Sequence, residues 1–174
     1  MITGKFTSSL IAAAGLALTL GGCGTDDPDK GSSNRGGDGQ SGDTSVENAY
    51  IVPAYALSCA LQVDAPAQLS FTVTNNNSVA DETLSQISTP VASSVEIEAP
   101  AGALTIAPGA TLAAGQPAVN PDEPAAVNDQ VSVSLLGLTE GVVPGESVPV
   151  AFTFERAGEI EFNVAVEACP AQST

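Results

Sequence analysis

Val148-Pro149-Val150-Ala151-Phe152-Thr153-Phe154, and after a short break Glu159-Ile160-Glu161-Phe162-Asn163-Val164-Ala165-Val166-Glu167, is the stretch that decides the fold. In the first arm Val148, Val150, Phe152 and Phe154 alternate with smaller or more polar residues. In the second, Ile160, Phe162, Val164 and Val166 alternate with Glu159, Glu161, Asn163, Ala165 and Glu167. A period of two over this length means strands, each with one buried and one wet face. The connection Glu155-Arg156-Ala157-Gly158 contains a glycine, which supplies the positive φ that short hairpin loops need. Three of the five phenylalanines lie here, so this hairpin is the expected centre of the core.

Outward from the hairpin the same pattern recurs in shorter pieces. Val46 to Val52, Ala56 to Val63, Leu69 to Thr74, Glu82 to Ile87, Val95 to Glu98, Leu104 to Ile106, Thr111-Leu112 and Val131 to Leu135 read as strands. Turn-forming clusters separate them, such as Asn75-Asn76-Asn77-Ser78 and Pro108-Gly109. Gly115 to Asn128, with Pro117, Pro121 and Pro124, reads as a loop. No long stretch of period 3.6 follows the N-terminal segment. Many short strands at spacings of about 8–12 residues predict an all-β sandwich or barrel.

The N-terminus has a different chemistry. Lys5 precedes an uncharged apolar run from Phe6 to Leu20, about 15 residues long, which is short for a membrane span and suits a secretory signal. It ends in Leu20-Gly21-Gly22-Cys23, which resembles a bacterial lipobox. That resemblance implies cleavage before Cys23, lipidation of its sulfur and acylation of the new amine. Several acyl chains give stable anchoring, at about 0.8 kcal/mol per buried CH₂. The alternative is a plain signal peptide with a fortuitous cysteine. Gly24 to Ser45 holds no large apolar residue and reads as a disordered tether. The expected organisation is therefore a signal peptide at 1–22, a lipidated cysteine and linker at 23–45, and one folded domain at 46–174. The expected location is the extracytoplasmic face of the cell membrane.

Composition excludes several function classes. The 174 residues carry 4 Lys and Arg against 20 Asp and Glu, a formal net charge of −16, which repels nucleic acid. There is no His, no Trp, and one Met, the first residue. Ser-His and Cys-His catalysis are thus excluded, and a Ser-Lys pair is implausible because no Lys follows Lys30. If Cys23 is lipidated, Cys59 and Cys169 remain. They read as a disulfide closing a loop of about 110 residues, for which chain entropy gives roughly 4–5 kcal/mol as an upper guide. The other reading is a two-cysteine metal site. Asp122, Glu123 and Asp129 are weak candidates for a hard cation, against the plainer reading of an exposed acidic loop. Glu159, Glu161 and Glu167 read as a solvated strand face. Arg156, the one basic residue of the folded region, is expected to pair with carboxylates near the hairpin loop.

Two segments carry a family resemblance. Val95-Glu96-Ile97-Glu98-Ala99-Pro100-Ala101-Gly102 through Ile106-Ala107-Pro108-Gly109 is the first. Leu135-Leu136-Gly137-Leu138 with Val143-Pro144-Gly145-Glu146 through Ile160 is the second. Together they resemble the periplasmic copper-chaperone family PCu(A)C, and within it the actinobacterial LpqE-like lipoprotein branch. The resemblance implies a cupredoxin-like, immunoglobulin-like Greek-key β-sandwich in an exported protein. Its copper chemistry does not carry over. That family holds Cu(I) with His and Met, including a His-x-Met just before the Leu-Leu-Gly-Leu-like segment, and such soft ligands suit Cu(I). The matching positions here are Ser132 and Ser134, and His is absent from the chain. The expectation is a non-catalytic binding or assembly module without cofactor, anchored to the membrane by lipid and facing an envelope protein partner. The alternative is a metal (copper) carrier using cysteines or carboxylates.

Overall fold

A computed structural model describes residues 36–115 and 131–169. Among the described residues ten strands run in chain order: β1 (Gly37–Ser41), β2 (Thr44–Val52), β3 (Ala67–Asn75), β4 (Glu82–Ser88), β5 (Ala92–Glu98), β6 (Thr105–Ile106), β7 (Thr111–Ala114), β8 (Ser132–Leu138), β9 (Ser147–Phe154) and β10 (Gly158–Val166). No helix occurs among the described residues.

The strands are hydrogen-bonded in the order β5-β8-β3-β2-β10-β9-β4-β6, with β1 on β2 and β7 on β3. Each pairing is antiparallel except β2 with β10, which is parallel and only two residue pairs long, Tyr50 with Ala165 and Ile51 with Val166. At that short join the sheet curls over. The leaf β5-β8-β3-β2 then faces the leaf β10-β9-β4-β6. Phe71 of β3 and Phe152 of β9 are not sheet neighbours, yet their rings meet edge to face at 5.0 Å. That contact runs through the core from one leaf to the other. Strands adjacent in sequence, β4 and β5, end in different leaves, which is the Greek-key crossing of a cupredoxin-like sandwich.

The alternation in the sequence becomes the core directly. Leu69, Phe71 and Val73 from β3 and Val150 and Phe152 from β9 are fully buried, with Val164 of β10 between them. Phe152 also stacks on Phe162 at 5.5 Å. The β9–β10 hairpin closes with Phe154 opposite Gly158, and Gly158 takes φ +75° as the short loop requires.

Three expectations change. The first described strand, β1, lies inside the stretch read as tether, so ordered structure is present ahead of Val46. β1 has no apolar side chain to bury. Its glycines instead let the backbone lie against β10: a Cβ on Gly39 would sit 2.4 Å from Phe162 and 2.7 Å from Ile160. β2 carries a bulge, with Asn48 at φ +53° and its N–H donated to Asp38 Oδ1 at 2.9 Å. The bulge sets Val46, Ala49 and Ile51 on the inner face although their spacing is not two throughout. Finally, 56–63 is not a strand. It is a loop between Pro53 and Pro66 with a single bridge, Tyr55 to Leu61.

Candidate functional site

Ser132 and Ser134, the positions where the resemblance places metal ligands, lie on the outer face of β8, while Val133 and Leu135 point into the core. Each serine is engaged by a neighbouring strand. Ser132 donates to Glu98 Oε2 at 3.4 Å across the β5 register, and Ser134 accepts from Gln68 Nε2 at 3.0 Å across the β3 register. Hydroxyls and carboxylates are hard oxygen donors, poorly suited to Cu(I). Among the described residues no group of three or more His, Cys, Asp or Glu side chains is placed to hold a metal ion. Asp122, Glu123 and Asp129, and likewise Cys23, lie outside the described residues.

At the tip of the β9–β10 hairpin lies a polar cleft of about 220 Å³. Its floor is Glu82, a carboxylate only 3% exposed at the start of β4. Oε1 accepts the backbone N–H groups of Thr83 and Arg156, and Oε2 accepts Ala157 N–H and the Thr44 hydroxyl, all at 3.0 Å. Burial by itself raises this carboxyl's pKa. The three N–H donors and the hydroxyl more than offset that, and the net position is below the usual carboxylate range. The expected partnership at this loop therefore exists in another form: the carboxylate binds the Arg156 backbone. The guanidinium donates to the Asp81 carbonyl at 3.4 Å. Glu82 escaped the sequence reading, although its spacing of two from Leu84 marks it as inward-facing. The cleft's buried polar side chains all have partners within the protein: Thr44 and Glu82 bond each other, and Asn75 Nδ2 donates to the Ala80 and Ile106 carbonyls, so the cleft acts as a hairpin lock.

The opposite pole holds the cysteines. Cys59 and Cys169 form a disulfide with a Cα separation of 5.6 Å, across 110 residues of sequence. It joins loop 53–66 to the chain just beyond β10. Tyr55 reinforces the join by donating its hydroxyl to the Glu167 carbonyl. Burial, and secondarily the Glu167 carboxylate, raise the Tyr55 pKa, so the phenol stays protonated as a donor. Glu159 and Glu161 are exposed along β10, as a solvated face requires, whereas Glu167 follows the strand's end, its N–H bonded to the Ile51 carbonyl at 2.8 Å.

The fold is a cupredoxin-like β-sandwich whose strand β8 presents Ser132 and Ser134, in a chain with no His and a single Met at position 1. The LpqE-like family matches residues 44–166, and the chain belongs to it. Solved structures agree on the fold. The chain is similar to the apo PCuAC domain from PmoF1, at 17% identity and TM-score 0.57 over 76% of this chain and 99% of that one. It is also similar to the copper-bound PCuAC domain from PmoF2, at 20% identity and TM-score 0.54 over 76% and 98%. No curated protein sequence matches the chain.

Proposed function

We propose that this protein is a lipid-anchored, extracytoplasmic binding or assembly module, non-catalytic, that uses the copper-chaperone sandwich as a scaffold and not as a copper site. One observation carries the reading. At the strand where the resemblance places a His-x-Met, Ser132 and Ser134 are engaged with Glu98 and Gln68, and the whole chain contains no His and a single Met at position 1. The paired cysteines offer no free thiol in their place. Anchoring rests on the order of Lys5, the apolar run and Leu20-Gly21-Gly22-Cys23, and on the family's being named for a lipoprotein. Among the described residues no helix is long and apolar enough to cross a membrane. On this reading the acyl chains on Cys23 supply the attachment.

Cu(I) titration of the protein against a competing chelator, with the disulfide intact, tests the reading. The expected result is no binding tighter than about millimolar, equivalent to about 4 kcal/mol. Stoichiometric binding at micromolar concentration or below would overturn it, and Cys59, Cys169 and the acidic loop would be the next residues to mutate. Metabolic labelling with a fatty-acid analogue, lost in Cys23→Ser, tests the anchor.

A further inference from the structure

We propose that loop 53–66 is a rigid docking element that inserts Leu57 into an apolar pocket of a protein partner whose rim carries Lys and Arg. The inference rests on the binding-module reading above and names the surface that module uses. Leu57 is 94% exposed. An isolated exposed leucine is unremarkable on a mobile loop, but here the backbone around it is fixed. Cys59 N–H bonds to the Ala56 carbonyl and Ala56 N–H to the Ala60 carbonyl, both at 2.9 Å, and Gln62 N–H bonds to the Ala54 carbonyl at 3.0 Å. Tyr55 and Leu61 form a bridge below the tip, and Cys59, at φ +60°, ties the tip covalently to Cys169. Holding a loop in place before contact removes the ordering entropy that a partner would otherwise have to offset.

The chemistry around the loop identifies its occupant. Ala54 through Val63 carries no charge in a chain with a formal net charge of −16. Of the four large exposed apolar residues among those described, three border the end of β10. Leu57 is one. Val52, 37% exposed, follows Ile51, whose carbonyl accepts Glu167 N–H. Val143, 45% exposed, lies on the turn whose Gly145 N–H bonds to the Val166 carbonyl. Asp64, Glu140, Glu146 and Glu167 lie on the same elements. Arg156, the single cation of the described residues, is at the other end of the β9–β10 hairpin. This acidic border repels anionic lipid headgroups and would set like charges together in a dimer through this pole. It fits a protein pocket with a cationic rim.

The test places a photo-crosslinking amino acid at position 57 of the full chain in its native host, with position 96 on β5 as control. The expected result is one discrete protein adduct from position 57 and none from position 96. The crosslinked partner peptide is expected to be apolar with flanking Lys or Arg. Adduct yield should fall at least about tenfold with Val143→Asp, while the melting temperature of that variant stays within a few degrees of the parent. No adduct from 57, equal adducts from both positions, a lipid adduct, a self-adduct or a partner peptide without basic residues each overturns the proposal. If these arise while Cu(I) fails to bind, the module reading survives and its surface lies elsewhere. If Cu(I) binds tightly, the module reading itself falls, whatever the crosslinks show.

Discussion

Glu82→Gln isolates the charge of the buried carboxylate with almost no change in volume. The carboxylate takes its four donors on two oxygens. An amide has one acceptor oxygen. With that oxygen at the Oε1 place, Thr83 and Arg156 keep their bonds, and the new NH₂ faces the Thr44 hydroxyl and Ala157 N–H. The hydroxyl rotates and accepts; the N–H cannot. The variant thus opposes one donor pair and weakens the remaining bonds by removing the charge. With charge-assisted bonds contributing about 1.5–3 kcal/mol each and an unsatisfied buried donor costing about 1–3 kcal/mol, the expected loss is about 2–4 kcal/mol at pH 7. For a chain of this size that lowers the melting temperature by roughly 10 °C. The pH dependence gives an independent reading. The folded pKa lies below the unfolded one, so this stabilisation is complete above the unfolded value, about 4.3. It is lost as pH falls through the lower folded value. Thermal melts of parent and variant from pH 7 to pH 2 should therefore converge only at the acid end. A melting temperature within about 2 °C of the parent at pH 7, or a gap that persists unchanged to pH 2, would refute the hairpin-lock argument.

Gly39→Ala puts a methyl group against the Phe162 ring, which is itself stacked on Phe152 and cannot swing freely. The expected loss is about 1–3 kcal/mol, with protease cleavage appearing before residue 42; a parent-like digest would show that β1 does not depend on this contact. Reducing the Cys59–Cys169 bond, or the Cys59→Ser/Cys169→Ser pair, opens a 110-residue separation. Denaturant unfolding should show a loss of up to about 5 kcal/mol, and no change in the midpoint would mean that hydrogen bonds alone hold the loop. Phe152→Ala removes the ring that meets both Phe71 and Phe162, at a cost of about 3–5 kcal/mol in the same assay; a loss below about 1 kcal/mol would place the core's centre elsewhere.

The sequence by itself determined the sandwich and what it lacks. The period of two in β3, β8, β9 and β10 is a local property, legible wherever one face of a strand is apolar. The absence of His and of any Met after position 1 is a count that no folding can alter. It left two cysteines in the folded region, and the structure joins them. What only the tertiary structure decided depends on groups that meet from distant parts of the chain. β1 is a strand because Gly39 fits under Phe162, more than a hundred residues away, and burial of its own side chains had no part in it. Glu82 is a strut because the β9–β10 loop brings backbone N–H groups to it, a backbone role that residue types do not encode. Loop 53–66 has the alternation of a strand but the end of β10 captures it, through a disulfide and a tyrosine hydroxyl. In each case the deciding energy is a contact of high sequence separation, and local pattern carries no record of it.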